Sequence, residues 1–321
     1  SILLQETMPE KSIITKEKKE KVEKLKYKDY ENYVVTEYNK IDERLITGNV
    51  ISNENYTIAI NQKGEGISKY KDIYVNRFKP TDDYSQGIFF VMKNIKNKQI
   101  WSSNYNFNNK KEDNYQIRFM PDSVEQEIIE GNIKTKIKTT VASNEPIELR
   151  SLILENQGQE EETIEVITYF EPVLSKKEQD YAHPAFNNLF LVSEFDERTN
   201  SIIVKRTNRE NNSKKMYLIA NLSTNCETIG DLEYEINQEK FIGRGNLEIP
   251  YMVKNSIPFS RKIGLVTEPI VALKRIIKIK PKEQVYVNLI IGVGEDKAKL
   301  ENSVQKYQSV ENVKMEFELS K

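Results

Sequence analysis

A single histidine, His183, and a single cysteine, Cys226, bound the nucleophile and metal chemistry open to this 321-residue chain. Any Ser-His-Asp or Cys-His arrangement would depend on that one imidazole. No cluster of cysteine and histidine has zinc spacing, so no metal ligands and no cofactor are expected. Gly64-Glu65-Gly66 lacks the third glycine and the following helix of a dinucleotide loop. Phe241-Ile242-Gly243-Arg244-Gly245 lacks the lysine of a phosphate loop, so both glycine pairs read as tight turns. The neighbouring carboxylates Asp82-Asp83 invite acid/base chemistry. Adjacent strand residues point to opposite faces, however, and a pair in a loop is usually solvated.

Four clusters combine polar and aromatic side chains. They are Lys69 to Phe78 followed by Asp82-Asp83-Tyr84, Trp101 with Asn104, Tyr105 and Asn106, Asp180 to Asn188, and Arg244 in its glycine turn. Aromatic faces stack on the C–H surfaces of sugars, while Asp, Asn, Arg and His bond the hydroxyls. The same combination of apolar floor and placed polar groups marks small-ligand pockets in general. Each residue also has a plainer reading. Trp101, Tyr70 and Phe186 suit a core, the Asp and Asn residues suit turns, and His183 before Pro184 suits a structural hydrogen bond.

These clusters must be held by a fold, and the pattern points to strands. Alternation of period two runs through Thr57 to Ile60, Tyr115 to Phe119, Lys134 to Val141, Thr163 to Phe170 and Val285 to Val293. Ile147-Glu148-Leu149-Arg150 begins another strand, and Ile88 to Val91, Met216 to Ala220 and Ile276 to Ile279 look buried. Turn residues punctuate them, and Asn156 to Glu162 reads as a hairpin loop. The fold class is all-β, a stack of antiparallel sheets. One helix is expected near the end, where Ala298, Leu300, Val304 and Tyr307 recur at helical spacing.

Composition narrows the partners. Lys plus Arg number 48 and Asp plus Glu 49, so the chain lacks the basic excess that duplex binding requires, and no nucleic-acid partner is expected. No apolar run reaches the roughly 18–20 residues of a membrane helix, so no direct membrane insertion by this segment is expected. The missing initiator methionine and the apolar Ile2-Leu3-Leu4 read as entry from a preceding domain. The expected organisation is a tail of that domain over 1–8, a charged linker over 9–44, the sandwich over 45–294, and a helical extension over 295–321.

Taken in order, these segments resemble the supersandwich domain of glycoside hydrolase family 94, with the motif order of cyclic β-1,2-glucan synthases. The resemblance rests on Ser52 to Thr57, Gly64 to Tyr70, Asp72 to Phe78, Thr81 to Gly87, Trp101-Ser102, Ala182-His183-Pro184-Ala185-Phe186, Phe241 to Gly245 and Glu268-Pro269-Ile270. Tyr70, Phe78 and Tyr84 stand where the family has tryptophan, which keeps the ring but removes the indole N–H. The resemblance implies a large mutarotase-like antiparallel supersandwich that packs against a catalytic (α/α)6 barrel of the same polypeptide. That barrel, which carries the catalytic acid, is not in this chain, so no catalysis by the isolated chain is expected. The implied ligand is β-1,2-glucan or a related oligosaccharide, and the implied location is cytoplasmic, tethered to the inner membrane through other domains. An autonomous carbohydrate-binding module is the alternative. Arg77, Asp82, Asp83, Trp101, His183 and Arg244 are the residues expected to border the sugar site.

Overall fold

The computed structural model describes residues 27–30, 33–41, 46–78, 86–105, 107, 114–207 and 215–320. Among the described residues the strands form three antiparallel sheets. Across the largest, the eleven strands are Tyr27–Tyr30 (β1), Tyr33–Tyr38 (β2), Gln116–Phe119 (β9), Val124–Glu130 (β10), Ile133–Val141 (β11), Ile147–Asn156 (β12), Gln284–Gly294 (β21), Met216–Thr224 (β17), Ser201–Arg206 (β16), Leu191–Asp196 (β15) and Gly264–Leu265 (β19). One five-stranded sheet runs Glu233–Asn237 (β18), Pro269–Ile279 (β20), Glu162–Phe170 (β13), Phe89–Asn94 (β7) and Ile100–Ser102 (β8). The other runs Pro172–Ser175 (β14), Ile73–Asn76 (β6), Gly66–Tyr70 (β5), Tyr56–Asn61 (β4) and Gly48–Ser52 (β3). The helices are Lys177–Ala182 (α1), Pro184–Asn188 (α2), Gln238–Ile242 (α3), Tyr251–Lys254 (α4), Lys297–Tyr307 (α5) and Val310–Leu319 (α6).

The all-β expectation is met. The large sheet covers both small ones, and the main core lies between the layers. Alternation builds that core as the sequence predicts: Val285, Val287, Leu289, Ile291 and Val293 of β21 all point inward beside Leu152 and Leu154 of β12. The opposite face of the large sheet is not left to solvent. Leu300, Val304 and Tyr307 of α5, with Val313 and Phe317 of α6, cover Ile147, Leu149, Ile219 and Ile290. The predicted C-terminal helix is therefore present, and a second follows it. Asp296 caps the first through its side chain on Lys299 N, and Ser309 caps the second on Asn312 N.

Three features differ from the sequence reading. The large sheet already contains β1 and β2, so the sandwich begins before residue 45; the expected tail over 1–8 lies outside the described residues. Asn156 to Glu162 is not a hairpin loop, because β12 and β13 belong to different sheets. Asn156 makes the crossover: its Nδ2 donates to Glu160 O and Ile279 O, and its Oδ1 accepts from Gly158 N. Finally, the rule that alternation turns one set of side chains to solvent fails at Glu148 and Arg150, which face the interior at 0% and 3% exposure. Arg150 Nε donates to Glu148 Oε1 at 2.5 Å, and Glu148 Oε2 accepts from Tyr56 Oη (2.9 Å) and Ser68 Oγ (2.6 Å). Arg150 Nη1 also reaches Ile88 O. A charged pair survives there because each charge bonds the other, and Tyr56, Ser68 and Ile88 O from the facing layers add further partners.

Candidate functional site

A cavity of about 670 Å³ opens at one end of the sheet that contains β7, β13 and β20. Phe89, Tyr169 and Ile270 form its floor. They lie on the face of that sheet turned away from the main core, where they pack with Phe241 and Phe259 under the α3–α4 segment. This second packing explains why β7 is buried along its whole length rather than alternately. Tyr169 Oη donates to Leu247 O (2.6 Å) and Glu248 O (3.1 Å), which holds the loop after α3 at the cavity edge. Burial, and next the charge of Glu248, push that phenol well above its ordinary range, so it stays a donor.

The opposite wall is the short insert α1–α2, and Arg77 holds it. Arg77 follows β6, and its backbone N–H bonds Glu171 O, so pairing of β6 with β14 brings its side chain beside Glu171. The guanidinium donates twice to Asp180 of α1, through Nε to Oδ2 (2.9 Å) and Nη2 to Oδ1 (2.6 Å). Nη1 donates to Glu171 Oε2 at 2.5 Å and Nη2 to Asn188 Oδ1 at 3.0 Å. Burial pulls the Arg77 guanidinium down, but the bonds to Asp180 and the charges of Glu171 and Asp180 outweigh it, and the net direction is upward. Asn188 Nδ2 continues the staple to Thr267 O, and Asn187 bonds Val173 O, Asp180 and Arg206. The insert thereby presents Phe186 and Leu189 outward, each about half exposed at 49% and 48%. The Phe186 ring is fixed edge-on against Phe190 with centroids 5.2 Å apart.

The expected site residues separate. Arg77 lines the cavity, with its donors directed at the protein. His183 joins α1 to α2 and is exposed next to the lining residues Pro184, Ala185 and Phe186. Arg244 is exposed on the same loop as the lining residue Leu247. Its turn needs glycine on both sides: Gly243 has φ +54°, and a Cβ on Gly245 would meet Ile249 O at 2.5 Å. Trp101 is corrected. It is 2% exposed, and its indole donates to Thr135 Oγ1 at 3.0 Å, tying β8 to β11 across the core. Its ring face is therefore covered by protein. Asp82 and Asp83 lie outside the described residues.

The single-residue reading missed Glu171, Gln238, Thr267 and Leu189 at the cavity. They come from four separate stretches of chain that only tertiary folding brings together. Among the described residues no group of three or more His, Cys, Asp or Glu side chains could hold a metal ion. No helix among them is long and apolar enough to cross a membrane.

Comparison with known proteins gives a family match. The model described as "Glycosyl hydrolase 94, supersandwich domain" matches residues 31–310. The chain is similar to the cyclic beta-(1,2)-glucan synthase NdvB of Rhizobium meliloti (strain 1021), with 24% identity over 270 residues. That match covers 84% of this chain and 10% of the relative, so the chain spans about a tenth of the length of the curated protein it matches. Among solved structures it is similar to a bacterial glucoamylase complexed with acarbose, at 8% identity and a TM-score of 0.46 over 90% of this chain and 40% of that one. A polysaccharide lyase gives 14% identity and a TM-score of 0.44 over 81% and 34%.

Proposed function

The chain belongs to the glycosyl hydrolase 94 supersandwich family, and from that membership we propose that it is a non-catalytic domain of a longer carbohydrate-active enzyme. The parent is of the cyclic β-1,2-glucan synthase kind, or a related phosphorylase. In it the domain scaffolds a catalytic (α/α)6 barrel and borders the barrel's glucan site, on the cytoplasmic side, with membrane attachment supplied elsewhere in the polypeptide.

The observation that supports this reading is the use made of Arg77. The only guanidinium lining the cavity among the described residues holds Asp180, Glu171 and Asn188. Its bonds stiffen the insert that turns Phe186 and Leu189 outward. Charge spent on holding a surface in place suits a domain that borders a site built largely by another domain.

Turnover is the test. The whole chain is incubated with β-1,2-glucan oligosaccharides, with and without phosphate, and with each anomer of glucose. Unchanged substrate by chromatography and polarimetry is expected. Turnover that disappears in His183→Ala would overturn the reading in favour of an enzyme built on this sandwich. The half-exposed Phe186 beside a cavity favours one second reading, an autonomous carbohydrate-binding module. Calorimetry with long β-1,2-glucan separates the two, since a module binds the polymer tightly by itself.

A further inference from the structure

We propose that a second cavity, on the outer face of the sheet built from β3 to β6 and β14, binds a small ligand with an apolar body and one anionic group, held by Lys63. This goes beyond the accessory-domain reading and does not depend on it. In β4 and β5, Tyr56, Ile58, Ile60 and Tyr70 alternate into the main core. The residues between them therefore face outward. Register sets Val50 of β3 opposite Ala59 of β4, and Ala59 opposite Ile67 of β5, so an apolar row crosses three strands. The small Ala59 in the middle of that row leaves a hollow, which Ile46 and Phe78 also line. The cavity measures about 610 Å³, within the range of small-ligand sites. Val50 and Ile46 are 61% and 56% exposed, and among the described residues no strand lies beyond β3 in this sheet.

Lys63 gives the cavity its charge. It lines the cavity from the turn between β4 and β5 and is only 6% exposed. Among the described residues its ammonium makes no hydrogen bond and no ion pair, yet it is not one of the side-chain atoms sealed from solvent without a partner. The small accessible part of Lys63 therefore includes the charge, while the stem is packed against protein. A cation placed in this way is complementary to an incoming anion.

The other polar groups of the lining are committed to the protein. Thr47 Oγ1 donates to Gln62 Oε1 at 2.9 Å, and Asn49 Nδ2 to Met120 O at 2.7 Å. Asn61 Nδ2 donates to Glu65 Oε2 at 3.0 Å, and Asn61 Oδ1 accepts from the backbone N–H groups of Lys63 and Glu65. A sugar carries a hydroxyl on nearly every carbon and would leave most of them unpaired here, at a desolvation cost. An aliphatic chain ending in a carboxylate matches both halves of the site. Its methylenes cover the row of Val50, Ala59 and Ile67, and its one charge meets Lys63.

NMR titration of the whole chain tests this with octanoate and butyrate. Octanoate binds with a Kd of roughly 1 mM, the scale left by several buried methylenes and one partly solvated ion pair after the costs of association. Lys63→Gln weakens it about tenfold, while Lys63→Arg retains it. Val50→Asn, at a side chain mostly in water, weakens it about threefold with an unchanged urea midpoint, so the test stands even where Lys63→Gln fails to fold. Butyrate, four methylenes shorter, binds roughly tenfold or more weakly. Absence of octanoate binding, binding unaffected by Lys63→Gln and Val50→Asn, or butyrate binding equal to that of octanoate would overturn the site. Cosedimentation with phosphatidylglycerol vesicles in the absence of octanoate binding would overturn it too, in favour of a lipid surface.

Discussion

Arg77 Nε and Nη2 grip both oxygens of Asp180, a residue 103 positions further along the chain, at 2.9 and 2.6 Å. The two side chains are 11% and 9% exposed, so this bidentate pair is largely withdrawn from water. Removing one partner strands the other's charge in a poor solvent. Arg77→Ala or Asp180→Ala should each destabilise the chain by roughly 3–5 kcal/mol. Arg77→Lys should lose most of the same stability, because a point charge cannot bond both carboxylate oxygens at once. Urea midpoints check this. Midpoints for all three variants within error of the unmodified chain would mean that the insert is not held by this pair.

Trp101 is the only tryptophan, so fluorescence reports on it alone. Its burial and its bond to Thr135 predict blue-shifted emission that iodide barely quenches. Trp101→Ala should cost roughly 3–5 kcal/mol through the cavity it opens. Trp101→Phe followed by loss of the Thr135 partner should cost less, with about 1 kcal/mol of it from the hydrogen bond. Red-shifted, freely quenched emission would place the indole at the surface and restore it as a sugar contact.

How much of this was legible in the sequence depends on how far apart the cooperating residues lie. The inward row of β21 follows from its own alternation, and α5 from its own spacing. The second helix carried a comparable signal in Val310, Val313 and Phe317, but sits in only ten residues. Helices α1 to α4 span four to six residues each, too short for a period to show. Glu148 and Arg150 misled because alternation reports two faces without saying which is wet. Here helices cover one face and facing strands the other. Arg77 was found as a residue near the site but not in its role, since Asp180 and Glu171 reach it only through tertiary folding.

Glu316 should make docking of α6 sensitive to acid. Its Oε1 accepts from Ser143 N at 2.7 Å and its Oε2 from Tyr307 Oη at 3.0 Å. Burial raises its pKa, yet the bonds from Ser143 and Tyr307 outweigh burial and leave it below the ordinary carboxyl value. A depressed folded pKa means that the stabilisation is complete above the unfolded value, about 4.3. It is lost as pH falls through the folded value, because the unfolded chain then binds more protons. Hydrogen exchange in α6 should accelerate below that pH, and Glu316→Gln should flatten the dependence. Exchange in α6 that tracks the rest of the sheet at every pH would remove Glu316 as its anchor.

Glu148 and Arg150 sit where the three sheets meet, and they should act as one unit. Arg150 belongs to the large sheet and reaches Ile88 at the head of β7, while Glu148 takes the hydroxyls of Tyr56 and Ser68 from the third sheet. Glu148→Leu leaves a buried guanidinium without its carboxylate, and Arg150→Met leaves a buried carboxylate without its cation. Each should cost roughly 3–5 kcal/mol. The double variant removes both charges together, so its cost should fall well below the sum, with a coupling of several kcal/mol. Tyr56→Phe on that background should recover part of the remainder, because the phenol no longer has a carboxylate to bond. Denaturant midpoints for the four chains complete the cycle. Costs that simply add would show that carboxylate and guanidinium are held independently and that the junction of the sheets does not depend on their pairing.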